Sequence, residues 1–223
     1  MPINPNMQMQ VPVPVPTVVN AFHMLYYHSL SFDRNYFGGH QIKQIPFDMQ
    51  IYQELIFQLR PAFILQTGVC NGGSALYFAT MLDMIQADKS AIVIGVDIEM
   101  TEEARRLTHP RIRLIHGSST HPDTVRAIES MIPAPHGLVS LDSDHSQQHV
   151  TNELAIYAKY VGVGSYLVVE DTNINGHPVF PNFGPGPYEA TDAFLKTNRQ
   201  FVPDNDVWDR NFFTFHTWLK RTA

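Results

Sequence analysis

Two short acidic runs set the chemistry open to this chain: Leu141-Asp142-Ser143-Asp144-His145, and Glu170-Asp171. Asp142 and Glu170 are 170 − 142 = 28 residues apart, enough for one crossover helix returning to a neighbouring parallel strand. Adjacent strands lie about 4.8 Å apart, so acids that follow two such strands converge at one edge of a sheet. Carboxylates crowded there repel unless positive charge sits among them. Oxygen ligands in that number suit a hard ion such as Mg2+, with its remaining positions open to water and substrate. The candidate metal ligands are therefore Asp142, Asp144, Glu170 and Asp171. A plainer reading has both aspartates capping the next helix and Glu170 paired with an arginine. His145 and Asp142 are the candidate catalytic residues: an imidazole beside a metal that acidifies a hydroxyl is placed to take its proton. His149, one turn further along the same helix, is the reserve candidate.

A second constellation lies earlier in the chain. Thr67-Gly68-Val69-Cys70-Asn71-Gly72-Gly73-Ser74 reads as a tight turn from a strand into a helix. Glycines there let a ligand approach the backbone, and free amides at the helix start attract an anion or hydroxyl. The same glycines also serve a bare strand-to-helix connection. Asp97 ends the next strand, 97 − 73 = 24 residues beyond Gly73, close to the spacing of about 20 at which nucleotide-binding folds place an acid for ribose hydroxyls. His116-Gly117-Ser118-Ser119 ends the third strand, as a small polar turn suited to an adenine ring or as a turn with no ligand. Thr67, Gly68, Gly72, Ser74, Asp97, Gly117, Ser118 and Asp142 are thus the candidate contacts to a nucleoside-bearing cofactor.

Regular elements must carry these residues to one edge. Short runs rich in branched apolar residues at 63–66, 91–96, 112–115, 138–141 and 166–169 read as buried strands. Helical stretches at 74–85, 101–107, 122–131 and 147–160 separate them. Strand and helix in alternation mean a mainly parallel sheet flanked by helices, an α/β fold. Helices are also expected at 18–27, 50–59 and 190–197, and a last strand at 211–219. In such a sheet ligands gather beyond the carboxyl ends of the strands, where both constellations fall.

Composition narrows the partners. Lys and Arg total 15 against 21 Asp and Glu, a formal charge of −6 with no basic run, which argues against nucleic acid. Interrupted apolar runs argue against a membrane span. One cysteine, Cys70, and no leader pattern lead to the expectation of a soluble, cytoplasmic protein. Residues 1–17 alternate proline with valine and read as a polyproline-like arm, either a frayed tail or an apolar strap that makes a homo-oligomer. One domain over residues 18–223 follows.

Gly68 to Ser74, both acidic runs, Ser165-Tyr166-Leu167-Val168-Val169-Glu170-Asp171-Thr172 and Pro185-Gly186-Pro187 together resemble the cephalosporin hydroxylase family. Its members look like S-adenosylmethionine (SAM) dependent methyltransferases related to rhamnosyl and macrolide-sugar O-methyltransferases. The resemblance runs from about Gly38 to the C-terminus. It implies a Rossmann-like class I methyltransferase fold ending in an antiparallel strand, SAM near Gly68, Gly72, Ser74 and Asp97, and Mg2+ between the two acidic runs, with Asp142 ranked ahead of Asp144. It implies methylation of a hydroxyl on a small-molecule acceptor, a sugar moiety or natural product. Where family members often carry an acid before the threonine of the turn, this chain has Gln66; a carboxylate there would face the SAM amino group. The long stretch 173–187 is expected to form a lid carrying Phe180 and Phe183. Two rivals stand beside this: a dinucleotide-dependent oxidoreductase, which leaves the acids unexplained, and a non-catalytic SAM-binding scaffold, which Gln66 favours.

Overall fold

The computed structural model describes residues 14–134 and 136–223, without the side chains of residues 208–210. Most of the expected N-terminal arm therefore lies outside the described residues. Its last four residues do not: Pro14 is the N-cap of helix α1, which spans Val15–His28 with proline in its first turn, where a missing N–H costs nothing. A two-stranded hairpin follows, β1 (Tyr36–Phe37) and β2 (His40–Gln41). Helix α2 (Pro46–Leu59) starts four residues before the periodic stretch, again on a proline. Then come β3 (Phe63–Thr67), α3 (Gly73–Met84), β4 (Ile92–Asp97), α4 (Glu102–Arg106), β5 (Ile112–His116), α5 (Pro122–Met131), β6 (Gly137–Leu141), α6 (Gln147–Tyr157) and β7 (Tyr166–Val169). The chain closes with α7 (Pro187–Thr197), β8 (Phe201–Pro203), α8 (Asn205–Arg210) and β9 (Thr217–Arg221).

Seven strands form the main sheet in the order β5-β4-β3-β6-β7-β9-β8. The five from β3 to β7 are parallel, as the alternation of elements predicts. β9 runs antiparallel to β7, and β8 antiparallel to β9. The second antiparallel strand and α8 were not legible as elements in the sequence. The expected last strand also begins later, at Thr217 rather than Asn211. Side-chain bonds hold residues 214–216 off the ladder: the Phe215 N–H donates to buried Asp48 at 3.1 Å, and Thr214 Oγ1 accepts from Trp218 Nε1 at 2.9 Å.

Both faces of the sheet are covered, which is why its strands read as continuous apolar runs. Ile64 and Val93 face Tyr52, Phe78 and Leu82 on one side. Phe63, Leu65 and Val139 face Leu154 and Tyr157 on the other. A smaller cluster of Tyr27, Ile45, Ile174, Val179 and Phe215 sits apart from both. It ties α1 to the long 173–187 connection. No helix among the described residues is long and apolar enough to cross a membrane.

Candidate active site

Strand order reverses at β3: the chain leaves it for β4 and β5 on one side and returns to β6 on the other. A crevice opens beyond the strand ends at such a point. Gly68 sits in it with φ +78°, and a Cβ there would lie 1.8 Å from the carbonyl oxygen of Asp142. The glycine is required by the neighbouring strand end, whatever ligand also approaches. Asp142 N–H donates to Thr67 O at 3.0 Å and lies 3.3 Å from Thr67 Oγ1, so Thr67 is spent joining the two strand ends. Gly73 meets a similar constraint, its Cβ position being 2.3 Å from Gln41 O of the hairpin.

A cavity of about 690 Å³ occupies this crevice, lined by residues that include Gly68, Asp97, Gly117, Ser118, Asp142, Asp144 and His145. Of the expected cofactor contacts, Thr67, Gly72 and Ser74 are not brought to its wall. Gly72 packs against Ala104 and Leu107 of the α4 region. Ser74 donates to Gln66 Oε1 at 2.8 Å, and Gln66 is fully buried beneath α3. The Gln66 side chain therefore meets Ser74 and is not among the residues that line the cavity.

Asp97 does more than line the wall. Its Oδ2 accepts the Val69 and Cys70 amides at 2.8 and 2.7 Å, and its Oδ1 accepts the Glu99 amide at 2.7 Å. A carboxylate has about four acceptor sites, so room remains for a ligand hydroxyl, but its first duty is to hold the turn. Two further turn amides are engaged, Gly68 N–H by Val96 O and Gly72 N–H by Val69 O, both at 2.8 Å.

The acidic runs meet at the inner end of the cavity. Asp142, His145 and Asp171 each present one donor atom within 4.8 Å of the others, and His145 Nε2 lies 3.4 Å from Asp171 Oδ2. Burial, followed by the charges of Glu170 and Asp171, pushes the Asp142 carboxyl well above the usual carboxylate range. Two carboxylates and an imidazole at this spacing are a donor set that fits a divalent ion. Asp171 holds a left-handed backbone, φ 52°, a conformation aspartate tolerates better than most residues. It is held on two sides: Tyr27 Oη donates to its carboxylate, and its own N–H donates to His216 Nδ1 at 3.1 Å.

Two expected ligands are placed otherwise. Asp144 is exposed and accepts the Ser146 N–H at 2.7 Å ahead of α6, whose N-cap is Ser146 rather than either aspartate. Glu170 is 1% exposed and engaged by Tyr52 Oη at 2.7 Å, by Ser140 and by Gln44 Nε2. No arginine pairs with it among the described residues; His216 Nε2 approaches at 3.4 Å instead. Its charge still reaches Asp142. His149 faces Ser119 at 3.0 Å and buried Glu153 at 3.5 Å; the Glu153 hydrogen bond raises its pKa against the effect of burial.

Sequence reasoning missed Tyr27, Lys43 and Phe215, which also line the cavity. Tyr27 lies four residues after His23 on the buried face of α1, a helical signal that named no partner. The 173–187 connection contributes Ile174, Phe180 and Phe183 to the cavity wall. Ile174 and Val179 are buried, Glu189 of α7 accepts from Asn175 at 3.0 Å, His177 at 2.9 Å and Gly186 N–H at 2.7 Å, and Phe180 and Phe183 face the cavity.

Comparison with known proteins agrees with this geometry. The family model for rhamnosyl O-methyltransferase/CmcI matches residues 29–222. The rhamnosyl O-methyltransferase of Mycobacterium tuberculosis (strain ATCC 25618 / H37Rv) is 38% identical over 180 residues, covering 79% of this chain and 73% of the relative. That of Mycobacterium leprae (strain TN) is 35% identical over 208 residues, 90% and 88% of the two chains. A solved CmcI structure with Mg and SAM superposes with a TM-score of 0.66 at 19% identity over 86% of this chain and 78% of CmcI, a likeness of fold.

Proposed function

The chain belongs to the rhamnosyl O-methyltransferase/CmcI family and is a SAM-dependent O-methyltransferase, and from that premise we propose that it methylates a hydroxyl of a sugar or other small natural product with Mg2+ as its activating ion. The observation that carries this is the convergence of Asp142, His145 and Asp171 at the inner end of the cavity. Mg2+ prefers oxygen to imidazole, so Asp142 and Asp171 would hold the ion, Glu170 beside them would add charge, and His145 would stay free as the base.

When bound, SAM supplies an electrophilic methyl on its sulfonium and Mg2+ supplies charge that lowers the pKa of an acceptor hydroxyl. The protein's part is placement. Gly68, Asp97, Gly117 and Ser118 line the wall that would receive SAM, and Phe180 and Phe183 the wall that would face the acceptor. His145 would take the hydroxyl proton while the acceptor oxygen receives the methyl group of bound SAM, whose S–C bond would break in line to leave S-adenosylhomocysteine. Tyr27 and His216 hold Asp171 on two sides.

The rhamnosyl relatives support a deoxysugar hydroxyl as the acceptor class. The test is incubation of the purified chain with SAM, Mg2+ and a panel of hydroxylated sugars, glycolipid headgroups and macrolides, followed by mass spectrometry. Gain of one methyl group on a hydroxyl, dependent on added Mg2+, is expected. Methylation that persists undiminished after exhaustive chelation overturns the metal, and methyl transfer to nitrogen or carbon overturns the hydroxyl.

A further inference from the structure

SAM carries a carboxylate, and the usual receptor for an anion at such a turn is the row of free amides at a helix start. In this chain four amides of the turn that precedes that helix start are already engaged. Gly68 and Gly72 donate to backbone carbonyls, Val69 and Cys70 donate to Asp97, and the hairpin carbonyl of Gln41 is packed against Gly73 at the start of α3. The cavity wall is otherwise acidic, with Asp97, Glu99, Asp142, Asp144 and Asp171. Among its lining residues Lys43 is the one lysine or arginine.

We propose that Lys43 is the anchor for the carboxylate of the methyl donor, an assignment that rests on the SAM reading above. Lys43 follows the hairpin whose Gln41 covers the start of α3, so the chain delivers its ammonium to the same end of the cavity as the glycine turn. Asp33 Oδ1 holds Nζ at 3.1 Å, which leaves two of its three donors for a ligand. Burial works against its charge, but Asp33, Cys70 and Asp142 favour it, placing the ammonium within the field of both the turn and the inner acids. A carboxylate entering a cavity lined by five acids needs such a partner. Lys43 therefore fixes the methionine end of the donor while Asp97 and the Ser118 turn receive the nucleoside end.

Calorimetry with two probes tests this on the full chain. SAM and decarboxylated SAM share the sulfonium, ribose, adenine and amine, and differ in the carboxylate alone. Wild type should bind SAM at least about tenfold more tightly than decarboxylated SAM, a difference of about 1.4 kcal/mol. Lys43→Met should erase that preference by weakening SAM binding alone, and Lys43→Arg should restore most of it, with circular dichroism confirming the fold of each variant. Equal weakening of both probes by Lys43→Met, or weakening of neither, overturns the assignment, as does a wild type that binds the two alike. A wild type that binds neither probe removes the methyl-donor reading itself, an outcome distinct from loss of the carboxylate preference.

Discussion

His145 Nε2 and Asp171 Oδ2 lie 3.4 Å apart although their residues belong to different crossover units of the sheet. On the proposed reading this carboxylate would have two duties, positioning the imidazole and holding the activating cation. If the duties are separable, His145→Ala should lower kcat by about 10²–10⁴-fold while Mg2+ affinity, measured by titration calorimetry, changes little. Chelation should abolish turnover with SAM affinity largely kept. Loss of metal binding in His145→Ala would make the histidine a ligand instead of a base.

Asp97 offers a different kind of test, because it accepts three backbone amides before it meets any ribose. Asp97→Ala should weaken SAM binding by about 1.5–3 kcal/mol for each charge-assisted bond lost, and it should also lower the thermal midpoint of the ligand-free protein. Unchanged SAM affinity in a destabilised variant would confine Asp97 to the fold.

Gly68→Ala places a methyl group against the Asp142 carbonyl, at a residue with φ +78°. Left-handed strain alone costs about 1–3 kcal/mol, and the collision adds to it by pushing the ends of β3 and β6 apart. Urea unfolding should show the loss, and Mg2+ affinity should fall with it because Asp142 moves. Wild-type stability would mean that the turn relaxes at no cost.

The loop that contributes to the cavity wall depends on a single carboxylate. Burial opposes the charge on Glu189, yet the His177, Gly186 and Asn175 hydrogen bonds outweigh it and bring its pKa from 4.5 down to about 2. A depressed carboxyl stabilises the fold fully above its unfolded value and loses that contribution as pH falls through the folded one. The stability gap between wild type and Glu189→Gln should therefore be widest near neutral pH and should close between pH 4.5 and about 2. Denaturant titrations at three pH values check this, and a gap independent of pH would refute it.

Apolar periodicity and chain order alone determined the alternation of β3 to β7 with their helices, because a strand buried on both faces must be apolar throughout. The same order determined that Gly68, Asp97, Ser118, Asp142 and Asp171 would reach one edge of the sheet, since parallel strands with right-handed crossovers leave no other place for them. Tertiary structure alone decided what each then does. Gln44 and Tyr52, 126 and 118 residues from Glu170, claim it for a buried network, and Tyr27, 144 residues from Asp171, orients that carboxylate. Strand β8 escaped notice because three residues carry too little pattern to register. Local pattern reports which face of an element is buried, but the partner of a polar side chain is set by chain segments that pack from far away, and pairings of that kind leave no periodic trace in the sequence.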